Sequence, residues 1–173
     1  MPGQPQLPTR VEAESRMPKA LKDQLGNLEN WAEGNLRDAR RDMIWFWSLK
    51  IPAVLASACA GLFAYLKWDL PALIIGAIGS LCVLVDGIYP RGMLRNVHLR
   101  AVHDLRNLQQ EIMYQWIIKG FQWGLDDTEM EKPAVKREME KVAVKIIQDA
   151  QKEVRRIAAY IEGAETSLDT QRK

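Results

Sequence analysis

Two stretches without a single charged side chain, residues 51–66 and 70–85, are separated only by Lys67-Trp68-Asp69. With the apolar residues that extend them, Trp45, Trp47 and Leu49 before the first and Ile88-Tyr89 after the second, each run is about 19 to 22 residues long, enough for a helix to cross the ~30 Å hydrocarbon layer of a bilayer. A backbone in lipid must satisfy its own hydrogen bonds, so a helical hairpin is the available form. The rest of the chain is too polar to wrap two helices that are apolar all round. The sequence therefore predicts an all-α membrane protein built on a two-span transmembrane hairpin.

Charge and composition narrow the remainder. A net charge of +2, from 24 basic and 22 acidic residues, argues against a nucleic-acid binder that works by bulk electrostatics. The hairpin follows more than about forty polar residues, too far in for a cleavable signal. Cys59 and Cys82 fall at different depths when counted from Trp68, which disfavours a disulfide between them and suits small packing residues.

The chain divides as follows. Residues 1–17, with Pro2, Pro5 and Pro8 and no apolar period, read as a disordered tail. Over 18–43, Leu21, Leu25, Leu28 and Trp31 give an amphipathic helix and then a charged approach. The hairpin covers 44–89, with spans at about 45–66 and 70–89; Trp45, Phe46 and Trp47 at one end and Tyr65 and Trp68 at the other form interfacial aromatic belts. Residues 90–123 carry a second amphipathic helix through Leu94, Val97, Ala101, Leu105, Leu108, Ile112 and Trp116. A turn or hinge at 124–133 leads to a helix over 134–162, whose seam, Val135, Met139, Val142, Ile146, Ala150, Val154, Ile157 and Ile161, approaches a heptad and suits coiled-coil-like pairing in an oligomer. Residues 163–173 read as a polar tail.

Basic residues flank the hairpin, Arg37, Arg40, Arg41 and Lys50 before it and Arg91, Arg95, Arg100 and Arg106 after it, whereas the tip has one Lys beside one Asp. The positive-inside rule places both termini in the cytosol.

No nucleophile elbow, phosphate loop, dinucleotide loop or paired-Cys zinc spacing occurs, and His98 and His103, five apart, point to different helix faces. We expect no enzyme activity, no cofactor and no metal site. Three features carry physical content instead. Small residues at helical spacing, Ala53, Ser57 and Gly61 in the first span and Ala72, Gly76 and Ser80 in the second, either close the hairpin or also join several hairpins. Lys50 and Asp86, each eighteen positions from Trp68, either pair at the membrane edge or form a charged ring at the mouth of an oligomeric pore. Lys132, Lys136, Arg137 and Lys141 either support the last helix through pairs with nearby Glu or, where helices from several subunits gather, offer an anionic-ligand patch.

The approach NLRDARRDM, the minimal loop in AYLKWDLPAL and the helix HLRAVHDLRNLQQEI together make the layout over about residues 31–116 resemble the SLATT group of bacterial two-span effectors. That resemblance implies a multi-pass protein of the bacterial inner membrane that oligomerises, with a tetramer as the working expectation. It also implies an ion-conducting pore, opened or gated in anti-phage defence by a nucleotide or oligonucleotide from a partner nucleotidyltransferase. The competing reading is a non-conducting membrane-anchored helical adaptor or scaffold.

Overall fold

The computed structural model describes residues 10–88, 91–120 and 131–170, and every element among them is helical. In chain order these are α1 (Arg10–Ser15), α2 (Lys19–Tyr65), α3 (Asp69–Ile88), α4 (Arg91–Gln115), which runs on into a π-helical turn (Trp116–Gly120), and α5 (Pro133–Thr170). The charged approach and the first apolar run are thus one helix of 47 residues, with Pro52 inside it. Two boundaries depart from expectation. Arg10–Ser15 is helical where a disordered tail over 1–17 was expected, and α5 continues to Thr170 where the sequence suggested an end near 162. Residues 121–130, which hold most of the expected hinge, and residues 89 and 90 at the end of the second run lie outside the described residues.

The chain forms two compact units, one from the described parts of 1–34 and 101–160, the other from 35–100 and 161–173. The core of the first is apolar: Ala13, Leu21, Ala101, Leu105 and Trp116 are fully buried, with Leu28, Ile112, Ala143, Ile146 and Ile157 close to it. A six-residue helix has no stability of its own in water. What holds α1 is tertiary packing, through buried Ala13 and Met17 and a 3.0 Å hydrogen bond that the Trp116 indole Nε1–H donates to the Ala13 carbonyl.

The second unit contains the hairpin. Its inward residues on α2 are Asn35, Ala39, Asp42, Phe46, Leu49, Ala53, Ala56, Ala60 and Phe63, alternating steps of four and three. This is the a/d rhythm of helices that pack with a slight left-handed twist. The small residues at its membrane end let α3 come close: a Cβ added to Gly79 would lie 3.1 Å from the Ala56 Cβ and 3.5 Å from the Ala53 carbonyl oxygen, and one added to Gly76 would lie 3.8 Å from the Ala60 Cβ. At Gly61 an added Cβ meets nothing within 4 Å. Gly79→Leu should therefore destabilise the hairpin by about 2 to 3 kcal/mol, since overpacking a tight contact costs roughly that. Thermal unfolding in detergent measures it, and Gly87→Leu, where an added Cβ also meets nothing within 4 Å, should leave that transition in place.

The tip is capped by the chain itself. The Trp68 N–H donates to the Phe63 carbonyl at 2.9 Å and the Lys67 N–H to the Ala64 carbonyl at 3.1 Å, the double closure of a Schellman motif. Lys67 takes the left-handed conformation this needs, φ 59°, where glycine is the usual residue. The Trp68 ring stacks on Phe63 with centroids 5.7 Å apart, the apolar contact that accompanies such a cap. Trp68 is thus a structural clasp as well as a candidate belt residue.

Two helices are long and apolar enough to cross a membrane, and only 11% and 6% of their most apolar windows is buried. Core helices of a soluble domain would be mostly covered. Here Ile44, Val54, Leu55, Leu62, Leu70, Leu73, Leu81 and Leu84 all stand more than half exposed. Such a continuous apolar surface demands a non-aqueous solvent or partner.

Candidate functional site

The open end of the hairpin concentrates polar side chains that an apolar surround makes conspicuous. Lys50 and Asp86 form an ion pair of 2.8 Å, with side chains 45% and 18% exposed, and the Lys50 ammonium lies 5.5 Å from the Phe46 ring centroid. Of the two arrangements the sequence left open, the folded chain contains the direct pair. Asp86 is accordingly neutralised within its own hairpin.

Further along the same unit lies a cluster that the sequence reading did not single out. Asp42 is 4% exposed and receives a 2.9 Å charge-assisted hydrogen bond from Arg91 Nη1. Its other carboxylate oxygen lies 3.8 Å from His98 Nε2, and His98 Nδ1 is 3.0 Å from the Asn35 side-chain oxygen. A carboxylate removed from water needs such partners, because its desolvation is otherwise uncompensated. No buried side-chain nitrogen or oxygen among the described residues lacks one. The signal was present in the sequence: Asn35 and Asp42 lie one heptad apart in the seam that Ala39 and Phe46 also define, and a polar residue at such a position calls for a polar partner opposite.

The remaining predicted residues separate. Ser57 and Ser80 each donate a 2.9 Å hydrogen bond to the carbonyl four residues back, to Ala53 and Gly76. Their hydroxyls are tied to their own helices. Gly76 faces Ala60 inside the hairpin, whereas Gly61 and Ser80 face outward.

In the other unit, Lys136 lines a groove of about 620 Å³ with Ser15, Arg16, Pro18, Met139, Glu131 and Glu140. The two glutamates there offset the basic groups. Lys132 precedes α5 and its carbonyl accepts from the Lys136 N–H. Arg137 is exposed, and Lys141 makes a solvated contact of 3.7 Å with Glu138, its side chain 76% exposed. Of the four basic residues, Lys136 lines this groove and Lys132, Arg137 and Lys141 do not. No group of three or more metal-ligating side chains occurs among the described residues.

The geometry so far defines a class: an all-helical chain with two helices able to cross a membrane, closed at the tip by a tight cap and held at the open end by buried charge. No protein-family model, curated protein or solved structure matches the chain.

Proposed function

We propose that this chain is a membrane effector of the bacterial cell membrane, with both termini in the cytosol, that oligomerises and forms or gates an ion-conducting pore under control of a nucleotide-derived signal in anti-phage defence. The observation that supports oligomerisation is the division of the small residues. Gly76 and Gly79 serve the contact between α2 and α3, but Gly61 and Ser80 lie on outward faces where nothing in a single hairpin requires them. In lipid, small outward residues let a second copy approach. A pore built this way is narrow and mostly apolar, which suits gating by dewetting. The remainder of the function rests on the resemblance in layout.

Ion flux and membrane potential measured in vesicles holding the whole protein test the reading, and Gly61→Leu should reduce both the assembly and the flux. A protein that assembles and still leaves flux and potential unchanged, with or without nucleotide, is the adaptor instead. The closed Lys50–Asp86 pair favours that alternative, since it leaves no bare acid ring. In a conducting assembly, Asp86→Asn should lower the preference for cations, because Lys50 then stands unbalanced; an unchanged reversal potential removes Asp86 from the conduction path. Neutralising Lys136, Arg137 and Lys141 together should weaken the response to an added nucleotide regulator, and an unaltered response discards the patch.

A further inference from the structure

Charges at the open end of the hairpin sort into two sets. Lys50 and Arg91 are paired, with Asp86 and Asp42. Arg37, Arg40 and Arg41 are exposed, and among the described residues none has an acidic oxygen within 4 Å. At about 100° per residue these three fall within a ~100° arc of α2, and the same arc continues through Ile44, Trp47, Ile51 and Leu55. That continuation is the outward apolar face: Ile44 is 66%, Trp47 52%, Ile51 50% and Leu55 58% exposed. Asp38 lies about 100° from Arg37 and about 60° from Arg41, and among the described residues it makes no ion pair with either. Glu33 shares the arc one turn farther from the apolar run and makes no ion pair with Arg37.

We propose that Arg37, Arg40 and Arg41 form a binding collar for the phosphate headgroups of anionic phospholipids. The inference rests on the hairpin crossing a bilayer, and does not require that it conduct. Spacing supports it. Arg40 and Arg41 precede Ile44 by about 4 to 6 Å along the helix axis and Arg37 by about 10 Å. The headgroup layer is about 5 to 8 Å thick beyond the hydrocarbon edge. Two guanidiniums therefore lie at phosphate depth, and the third reaches it by leaning along the helix. The planar fork of arginine matches phosphate oxygens two at a time. Trp45 and Trp47, both 52% exposed, follow about 6 to 10 Å farther along the helix axis, on the hydrocarbon side of the phosphate level, where amphipathic rings settle.

The whole protein in vesicles, probed in turn with spin-labelled phosphatidylglycerol and spin-labelled phosphatidylcholine, provides the test. A motionally restricted component with either lipid reports that the hairpin contacts acyl chains; its absence with both refutes the bilayer reading and the collar with it. The ratio of the two association constants reports the collar alone. At low salt the anionic lipid should associate about fivefold or more strongly, the factor expected when one basic residue near a charged surface is engaged. The ratio should fall toward unity in the triple variant R37Q/R40Q/R41Q, with the phosphatidylcholine component unchanged. Equal association in the wild type, or an undiminished ratio in the variant, overturns the proposal. If the variant does not reconstitute, the wild-type ratio is followed against sodium chloride; it should decline as screening grows, and a flat ratio counts against the collar. Inorganic phosphate that abolishes the preference beyond chloride of the same ionic strength would assign the arginines to a soluble anion instead.

Discussion

Trp116→Ala should release the N-terminal helix and expose the core of the unit that contains it. The indole is fully buried, and truncating a buried tryptophan costs about 3 to 5 kcal/mol through lost transfer energy and the cavity left behind. The variant also removes the hydrogen bond that the π-helical turn donates to α1, leaving the Ala13 carbonyl to find water. Because α1 has six residues, it has no reserve of local stability once that anchor is gone. Amide exchange read segment by segment should then speed up a hundredfold or more over 10–17 and 101–116, the factor that about 3 kcal/mol produces when exchange tracks the opening equilibrium. Trp116→Phe keeps most of the volume and loses the donor, so it should cost about 1 to 2 kcal/mol. Exchange over 10–17 that is unaltered in Trp116→Ala would mean that the indole does not hold α1.

That result would also explain why the sequence reading missed this helix. Residues 10–17 have too few apolar positions for a period, and the partner that orders them is 103 positions away from Ala13. The two apolar runs, by contrast, announce themselves locally, since length and absence of charge suffice, and the expected limits at 66 and 70 differ from the helix ends at Tyr65 and Asp69 by one residue. The tip was legible as a short connection but not as a cap, because the left-handed position is filled by Lys67 where glycine would have marked it. Glycines posed the reverse difficulty. Gly61 is among the expected packing residues and Gly79 is not, and only the rotation of α2 against α3 shows that the first faces open space and the second faces Ala56. For the candidate site, eighteen equal steps from the tip placed Lys50 and Asp86 at one depth, but whether they touched depended on the facing of both helices. Asp42 lies within the charged approach, and its burial follows from its seam position.

Breaking the Asp42 cluster should have the second-largest effect, and the direction of the asymmetry is set by burial. The Asp42 side chain is 5% exposed and that of Arg91 is 31% exposed. Arg91→Gln leaves a carboxylate that water cannot reach, with His98 Nε2 3.8 Å away, and should cost about 3 kcal/mol. Asp42→Ala leaves behind an arginine whose side chain is already 31% exposed, so its cost should be smaller, about 2 kcal/mol, with most of it arising at His98, which is 8% exposed. Asp42→Asn retains an oxygen that accepts from Arg91 and should be milder still. Since the two residues act on one another, the double variant should lose about 1 to 2 kcal/mol less than the sum of the singles. Denaturant titrations in detergent give all three values, and salt separates this cluster from its neighbour: sodium chloride should barely alter the Asp42–Arg91 coupling, whereas the Lys50–Asp86 pair, with Lys50 45% exposed, should be screened. Additive losses for Asp42→Ala and Arg91→Gln would show that the 2.9 Å contact contributes nothing to stability, and that the open end of the hairpin is held by the apolar seam through Ala39, Phe46 and Leu49 together with the Lys50–Asp86 and Asn35–His98 contacts.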